Sequence, residues 1–318
     1  MSAHARGAGL RVARAGAAAA LEALATLLGV VALVHLLFAA QAGDAADLVA
    51  GDRAAVARVW GLDAPVGVRV ARAWLAVLSG DLGESWILRP GAPVAPWVLS
   101  EGASTLARVT AGVALAALGG LAAALAPSGA RPLVTAARAF SSIPAFLGAL
   151  LLVTCLNALA WEGVRRGWYE RPAWFALPDT PSALREVLGL FLIAWAGGGL
   201  AEAQHRIGAA LDHLRGATFL EALRIRGAPL WPRYVHHLAA PLAAALAARV
   251  PWAIGAAVVV ERALLLPGAG ALAWSGAIAR DVPVAAGVAV WSAALVAGGR
   301  AAAAVVRAAV DPRPERRP

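Results

Sequence analysis

The stretch from Gly16 to Ala40 reads GAAAALEALATLLGVVALVHLLFAA, and its character decides the fold class. It is an apolar run of about 24 residues, enough to cross a ~30 Å hydrocarbon core as a helix. Its only ionisable groups are Glu22 and His35. Arg6, Arg11 and Arg14 precede it. Basic residues before an apolar run also mark a signal peptide, and Ala40-Gln41-Ala42 mimics a cleavage site. The run nevertheless exceeds the ~7–15 apolar residues of a signal sequence, so it reads as an uncleaved first span.

Further runs of the same kind lie at roughly 104–126, 139–160, 183–203, 239–260 and 283–305. The second and third are joined by a short turn, Pro127-Ser128-Gly129-Ala130-Arg131-Pro132. Apolar residues make up 60% of the chain and charged residues 15%, with a mean hydropathy of +0.70. That is too little charge for the surface of a soluble protein of 318 residues. Backbone polar groups in lipid must be satisfied within each segment, so the runs imply helices. The expectation is an all-α polytopic membrane protein with about six transmembrane helices.

The net charge of +9 comes from 28 basic residues, all of them arginine. No basic patch with interleaved aromatics lies outside the membrane flanks, so arginine-rich cytoplasmic loops explain the charge and nucleic-acid binding is not expected. The 204–238 loop, with Arg206, Arg215, Arg224, Arg226 and Arg233, is assigned to the cytoplasm on this ground, and an even number of spans places both termini there. The absence of lysine excludes a phosphate-binding Gly-x-x-x-x-Gly-Lys loop. If ATP drives this chain, another protein binds it. The single cysteine, Cys155, excludes an intramolecular disulfide or a cysteine-based metal site.

The chain divides into a first span plus outer loop (1–100), a five-span core (101–310) that holds the 204–238 loop, and a tail (311–318). Acidic residues, arginines and Trp60, Trp74, Trp86 and Trp97 are spread through 43–100. Asp63-Ala64-Pro65 starts a helix there, Val66, Val70, Trp74, Leu75 and Leu78 recur at helical spacing, and Gly80-Asp81-Leu82-Gly83 stops it. This amphipathic helix is expected near the membrane interface, where tryptophan is favoured.

In the basic loop, Thr218-Phe219-Leu220-Glu221-Ala222-Leu223-Arg224-Ile225-Arg226-Gly227 reads as a short helix ended by a left-handed Gly227. Pro229 and Pro232 bar its continuation and Pro241 begins the next span, which gives a compact helix–turn–helix. On the residues alone it is either an ordinary positive connector or a knob for a partner. Arg249 stands inside the fifth span; it is a candidate for lining a pathway and binding a carboxylate there, or it pairs with Glu202, or it lies close enough to a span end to snorkel. His205, His213, His236 and His237 fall in the same cytoplasmic loop, and no metal site is assigned to them. Gly268-Ala269-Gly270-Ala271-Leu272-Ala273 fits a dinucleotide-binding pattern, but without βαβ context it reads as a turn in an outer loop. No HExxH motif, carboxylate pair or Ser/His/Asp set supports an enzyme.

Glu221-Ala222-Leu223 with Gly227 resembles the coupling-loop element of ABC-importer permeases. Val258-Val259-Val260-Glu261, Leu266-Pro267-Gly268-Ala269-Gly270 and Ala277 to Gly287 resemble the signature of the dipeptide, oligopeptide and nickel permease family. Gly61-Leu62-Asp63-Ala64-Pro65, Gly80 to Ser85 and Ser141 to Phe146 are similar to the first permease type of that family, which has a long periplasmic loop. The resemblance implies an ABC importer permease fold in a bacterial inner membrane, with no cofactor in this chain. It implies ATPase subunits docking on Glu221, Ala222, Leu223 and Gly227, a second permease of paralogous sequence, and a periplasmic or lipid-anchored substrate-binding protein. Di- or oligopeptides are the implied cargo, with nickel or another small solute as the alternative. A secondary transporter driven by an ion gradient is the reading from a different class, and it predicts repeated halves with midplane acids that this sequence lacks.

Overall fold

A computed structural model describes residues 3–41, 43, 45–48, 52–168, 182–195, 198–215, 218–227, 229, 238 and 249–310. The described residues are helical apart from connecting turns, with one isolated antiparallel bridge between Glu84 and Pro93. In chain order the helices are α1 (Ala3–Ala39), α2 (Arg53–Val59), α3 (Val66–Leu78), α4 (Val94–Leu125), α5 (Arg131–Ser141) and α6 (Ala145–Arg165). They continue with α7 (Ser182–Trp195), α8 (Gly199–Arg215), α9 (Thr218–Ile225), α10 (residues 249–263), α11 (Ala269–Ile278) and α12 (Val282–Val310). Among the described residues, four segments are long and apolar enough to cross a membrane: Gly16–Ala39, Val94–Leu125, Ala145–Arg165 and Val282–Ala301. A fifth candidate is the pair α7 and α8, bent by 50°. The protein is an all-α polytopic membrane protein. Of the expected span at 239–260, residues 239–248 lie outside the described set, as do Pro232, His236, His237, Pro241 and the 311–318 tail.

Five expectations change in detail. The second span begins at Val94, ten residues before the apolar run predicts. The link between the second and third spans is more than a turn, because α5 fills it. The third span then starts at Ala145, since Pro144 lacks an amide proton and pushes Ile143 away from helical geometry. The fourth span is divided between α7 and α8, and Gly198 just before α8 adopts φ +79, a conformation that L side chains avoid. The Gly268–Ala273 segment forms the start of α11 instead of a loop turn.

Contacts group the chain into two compact units. One comprises Ala20–Ala107 and Leu265–Gly298. Its core is Val94, Val98, Ala269, Leu272, Val284 and Val288, flanked by Leu82, Leu88, Trp97 and Trp291. Gly102 admits the Trp291 indole, which a Cβ there would meet at 2.5 Å. Gly268 offers α11 no capping side chain, so Thr105 Oγ1 takes that role and accepts from Ala269 N at 2.8 Å. Asp281 is fully buried and accepts from Ser85 Oγ (2.6 Å), Trp86 N (3.2 Å), Ile87 N (3.0 Å) and Leu88 N (3.0 Å). The carboxylate thereby fastens the 85–88 segment to the start of α12. Trp60 stacks on Trp86 with ring centroids 4.8 Å apart.

The other unit comprises Met1–Ala19, Arg108–Leu264 and Gly299–Pro318. Ala203, Ile207 and Leu211 of α8 are buried there beside Leu121 and Ala124 of α4. Gly120 of α4 makes the approach close, since a Cβ on it would lie 2.5 Å from Ala203 Cβ.

Candidate functional site

The α9 segment begins after α8 and lasts two turns. Leu220 faces inward and is buried, whereas Glu221, Ala222, Arg224, Ile225, Arg226 and Gly227 are exposed and Leu223 is half-buried. The helix ends as its sequence predicts. Arg226 N donates to Ala222 O and Gly227 N to Arg224 O, and Gly227 adopts φ +66. Glu221, Ala222 and Ile225 follow at i, i+1 and i+4 and so share a face. That face combines one carboxylate, a side chain small enough for close approach and an isoleucine that is 81% exposed. An isoleucine left this open beside Arg224 and Arg226 has the make-up of a protein-docking patch, apolar at its centre and charged at its rim. The second half of the expected helix–turn–helix lies outside the described residues except for Leu238.

Two charge networks lie in the same compact unit as α9. Arg249, at the start of the described part of α10, is buried, with Nη1 3.6 Å from Glu202 Oε2 on α8. Glu202 also pairs with Arg206 one turn on, at 2.8 Å. Gly199 leaves room for the Arg249 guanidinium, which a Cβ would meet at 3.0 Å.

The second network joins three helices. Arg108, near the middle of α4, is buried and holds Glu186 of α7 through two bonds, Nε to Oε2 at 2.7 Å and Nη2 to Oε1 at 2.9 Å. Its Nη1 donates to Oε1 of the fully buried Glu261 of α10 at 2.8 Å. Planar guanidinium suits this forked geometry, which an ammonium could not match. Sequence reasoning passed over Arg108 and Glu186, and took Glu261 only as part of a family signature. The available signal was opposite charges standing inside different apolar runs, which must pair to enter a membrane. His35, singled out for the same reason, is satisfied locally: its Nδ1–H donates to Val31 O at 2.9 Å.

No family profile matches the chain. Among curated proteins, the oligopeptide transport system permease protein AppB of Bacillus subtilis (strain 168) is 26% identical over 322 residues. The match covers 93% of this chain and 97% of that protein. This chain is thus similar to that transport permease over nearly its whole length. Because the match runs nearly end to end, the α9 segment, both charge networks and the Asp281 anchor lie within the shared length.

Proposed function

We propose that this permease is the transmembrane subunit of an ATP-driven, binding-protein-dependent importer of di- or oligopeptides, in the inner membrane of a bacterium with both termini in the cytoplasm. The observation that supports it best is the near full-length similarity to a permease named for oligopeptide transport. An ABC ATPase, a second permease and a substrate-binding protein complete the machine. The ATPase docks on α9 through Glu221, Ala222, Leu223 and Gly227. Work done on α9 passes to α8, whose buried face meets α4 at the Gly120–Ala203 contact, and a close-packed contact of this kind transmits displacement instead of absorbing it.

Two substitutions test the docking role. Gly227→Pro fixes φ near −65° and removes the amide that donates to Arg224 O. Glu221→Arg reverses an exposed charge without touching the interior. Both variants should insert into the membrane normally and lose ATPase copurification by roughly tenfold or more, the equivalent of about 1.4 kcal/mol of binding. Normal copurification with both would refute docking at α9.

Arg249 is assigned to the substrate route, its guanidinium beside Glu202. Arg249→Ala is expected to reduce peptide uptake in cells that hold normal levels of the protein. Unchanged uptake at normal membrane abundance would remove the assignment.

A further inference from the structure

We propose that α3 is a lipid-contacting helix whose exposed apolar face meets lipid alongside the C-terminal half of α1. The inference does not depend on what the protein transports. It begins with a tether. Trp74 Nε1 of α3 donates to the backbone carbonyl of Leu28 at 2.8 Å. Leu28 belongs to the apolar segment Gly16–Ala39 and lies about eleven residues before its end, or ~16 Å of helix. An indole in an apolar layer needs a partner for its N–H, and here it takes one from the span itself.

The surface of α3 fits that placement. Val70 is buried, while Val68, Trp74, Leu75 and Leu78 are exposed, Leu75 by 69% and Leu78 by 61%. In water such leucines would leave their apolar surface unburied, which lipid avoids. The helix that holds α3 likewise exposes Leu24, Leu33, Leu36 and Leu37, as a span does toward lipid. Charge is segregated along α3. Arg69 and Arg72 lie in its first two turns and Ala73–Leu78 carries none. Arg69 lines a small cavity with Phe38, Gln41, Leu62 and Arg280, and Arg72 reaches to within 3.4 Å of where Gly61 would carry a Cβ. Both guanidinium groups thus lean toward the helix start, where the chain meets the end of α1. Long basic side chains at an interface lean toward water and headgroups in this way. After Leu78, Gly80 turns the chain at φ +79, Asp81 accepts from Gly83 N, and Leu82 packs at Gly287 near the start of α12. The Gly80 turn and Asp81 end the apolar stretch, so α3 lies along α1 without crossing.

The test uses full-length protein with Cys155→Ser, so that single cysteines at Leu75 and Leu78 can carry spin labels in phospholipid vesicles. Labels at Leu36 and Asp63 serve as lipid and water references, both positions being exposed. The ratio of oxygen to nickel-chelate accessibility at Leu75 and Leu78 should match Leu36. Adding Trp74→Phe should shift it toward the Asp63 value. A ratio equal to Asp63 in the tethered protein would overturn the proposal. Shielding from both reagents would overturn it as well, by placing a protein partner on this face.

Discussion

Arg108→Leu is expected to lower the stability of the folded permease by about 3–5 kcal/mol, the usual cost of breaking a buried ion pair from one side. The substitution takes away three hydrogen bonds, two to Glu186 and one to Glu261. The carboxylates do not suffer equally. Glu186 is 39% exposed, so it can recover hydration, whereas Glu261 has no exposure at all. Most of the loss should therefore trace to Glu261, and neutralising that residue as well should return part of it. Arg108→Leu combined with Glu261→Gln is accordingly expected to be more stable than Arg108→Leu alone. Arg108→Lys keeps the charge but cannot hold Glu186 through two parallel bonds, so it should fall between wild type and leucine. Unfolding of purified protein in mixed micelles of increasing SDS content measures each variant, with membrane abundance as an independent check. An Arg108→Leu midpoint equal to wild type would show that the three-helix network does not support the fold.

The contrast between Gly227 and Arg108 shows what could be read in the sequence. Gly227 follows an amphipathic helical turn and precedes prolines, and its positive φ is a local consequence of those neighbours. The apolar runs are equally local, because lipid imposes both length and composition on a single segment. The bend at Gly198 and the start of α6 after Pro144 were also encoded locally, yet hydropathy averages over a window and smooths such breaks away. Arg108 belongs to a different class. Its meaning lies in two carboxylates 78 and 153 residues distant along the chain, and no periodicity within α4 reports them. Glu202 and Arg249 were paired in advance as an option only because both were already conspicuous as charges in apolar runs. Asp281 is similar: it stood in a recognised motif, but that it fastens Ser85 to Leu88 depends on how α12 and the loop before α4 come together.

Asp281→Ala should be the second severe substitution, at about 3–5 kcal/mol, with each stranded donor costing ~1–3 kcal/mol and some of the loop relaxing to water. Four donors converge on this carboxylate: one hydroxyl and three successive backbone amides. Three of them use Oδ2, and only Trp86 N, at the longest distance of 3.2 Å, uses Oδ1. Asp281→Asn can place its carbonyl oxygen at the Oδ2 position and keep the three shorter bonds, leaving its amide to face Trp86 N. It should therefore lose less than alanine does. Ser85→Ala removes one donor to Asp281 and also the oxygen that accepts from Arg89 N, so it should lie below both, at about 1–2 kcal/mol. The damage has a local optical readout. Trp86 belongs to the 85–88 segment and stacks on Trp60 at 4.8 Å and 5° between planes, close enough for the two indoles to couple in circular dichroism. Freeing the segment from α12 should abolish that coupling in Asp281→Ala under conditions where the helical signal persists, and Trp60→Phe supplies the baseline for its loss. If Asp281→Ala keeps both the unfolding midpoint and the coupled tryptophan signal, the 85–88 segment is held by its apolar contacts, Leu82 and Leu88 on the Val94–Val284 core, and not by the buried carboxylate.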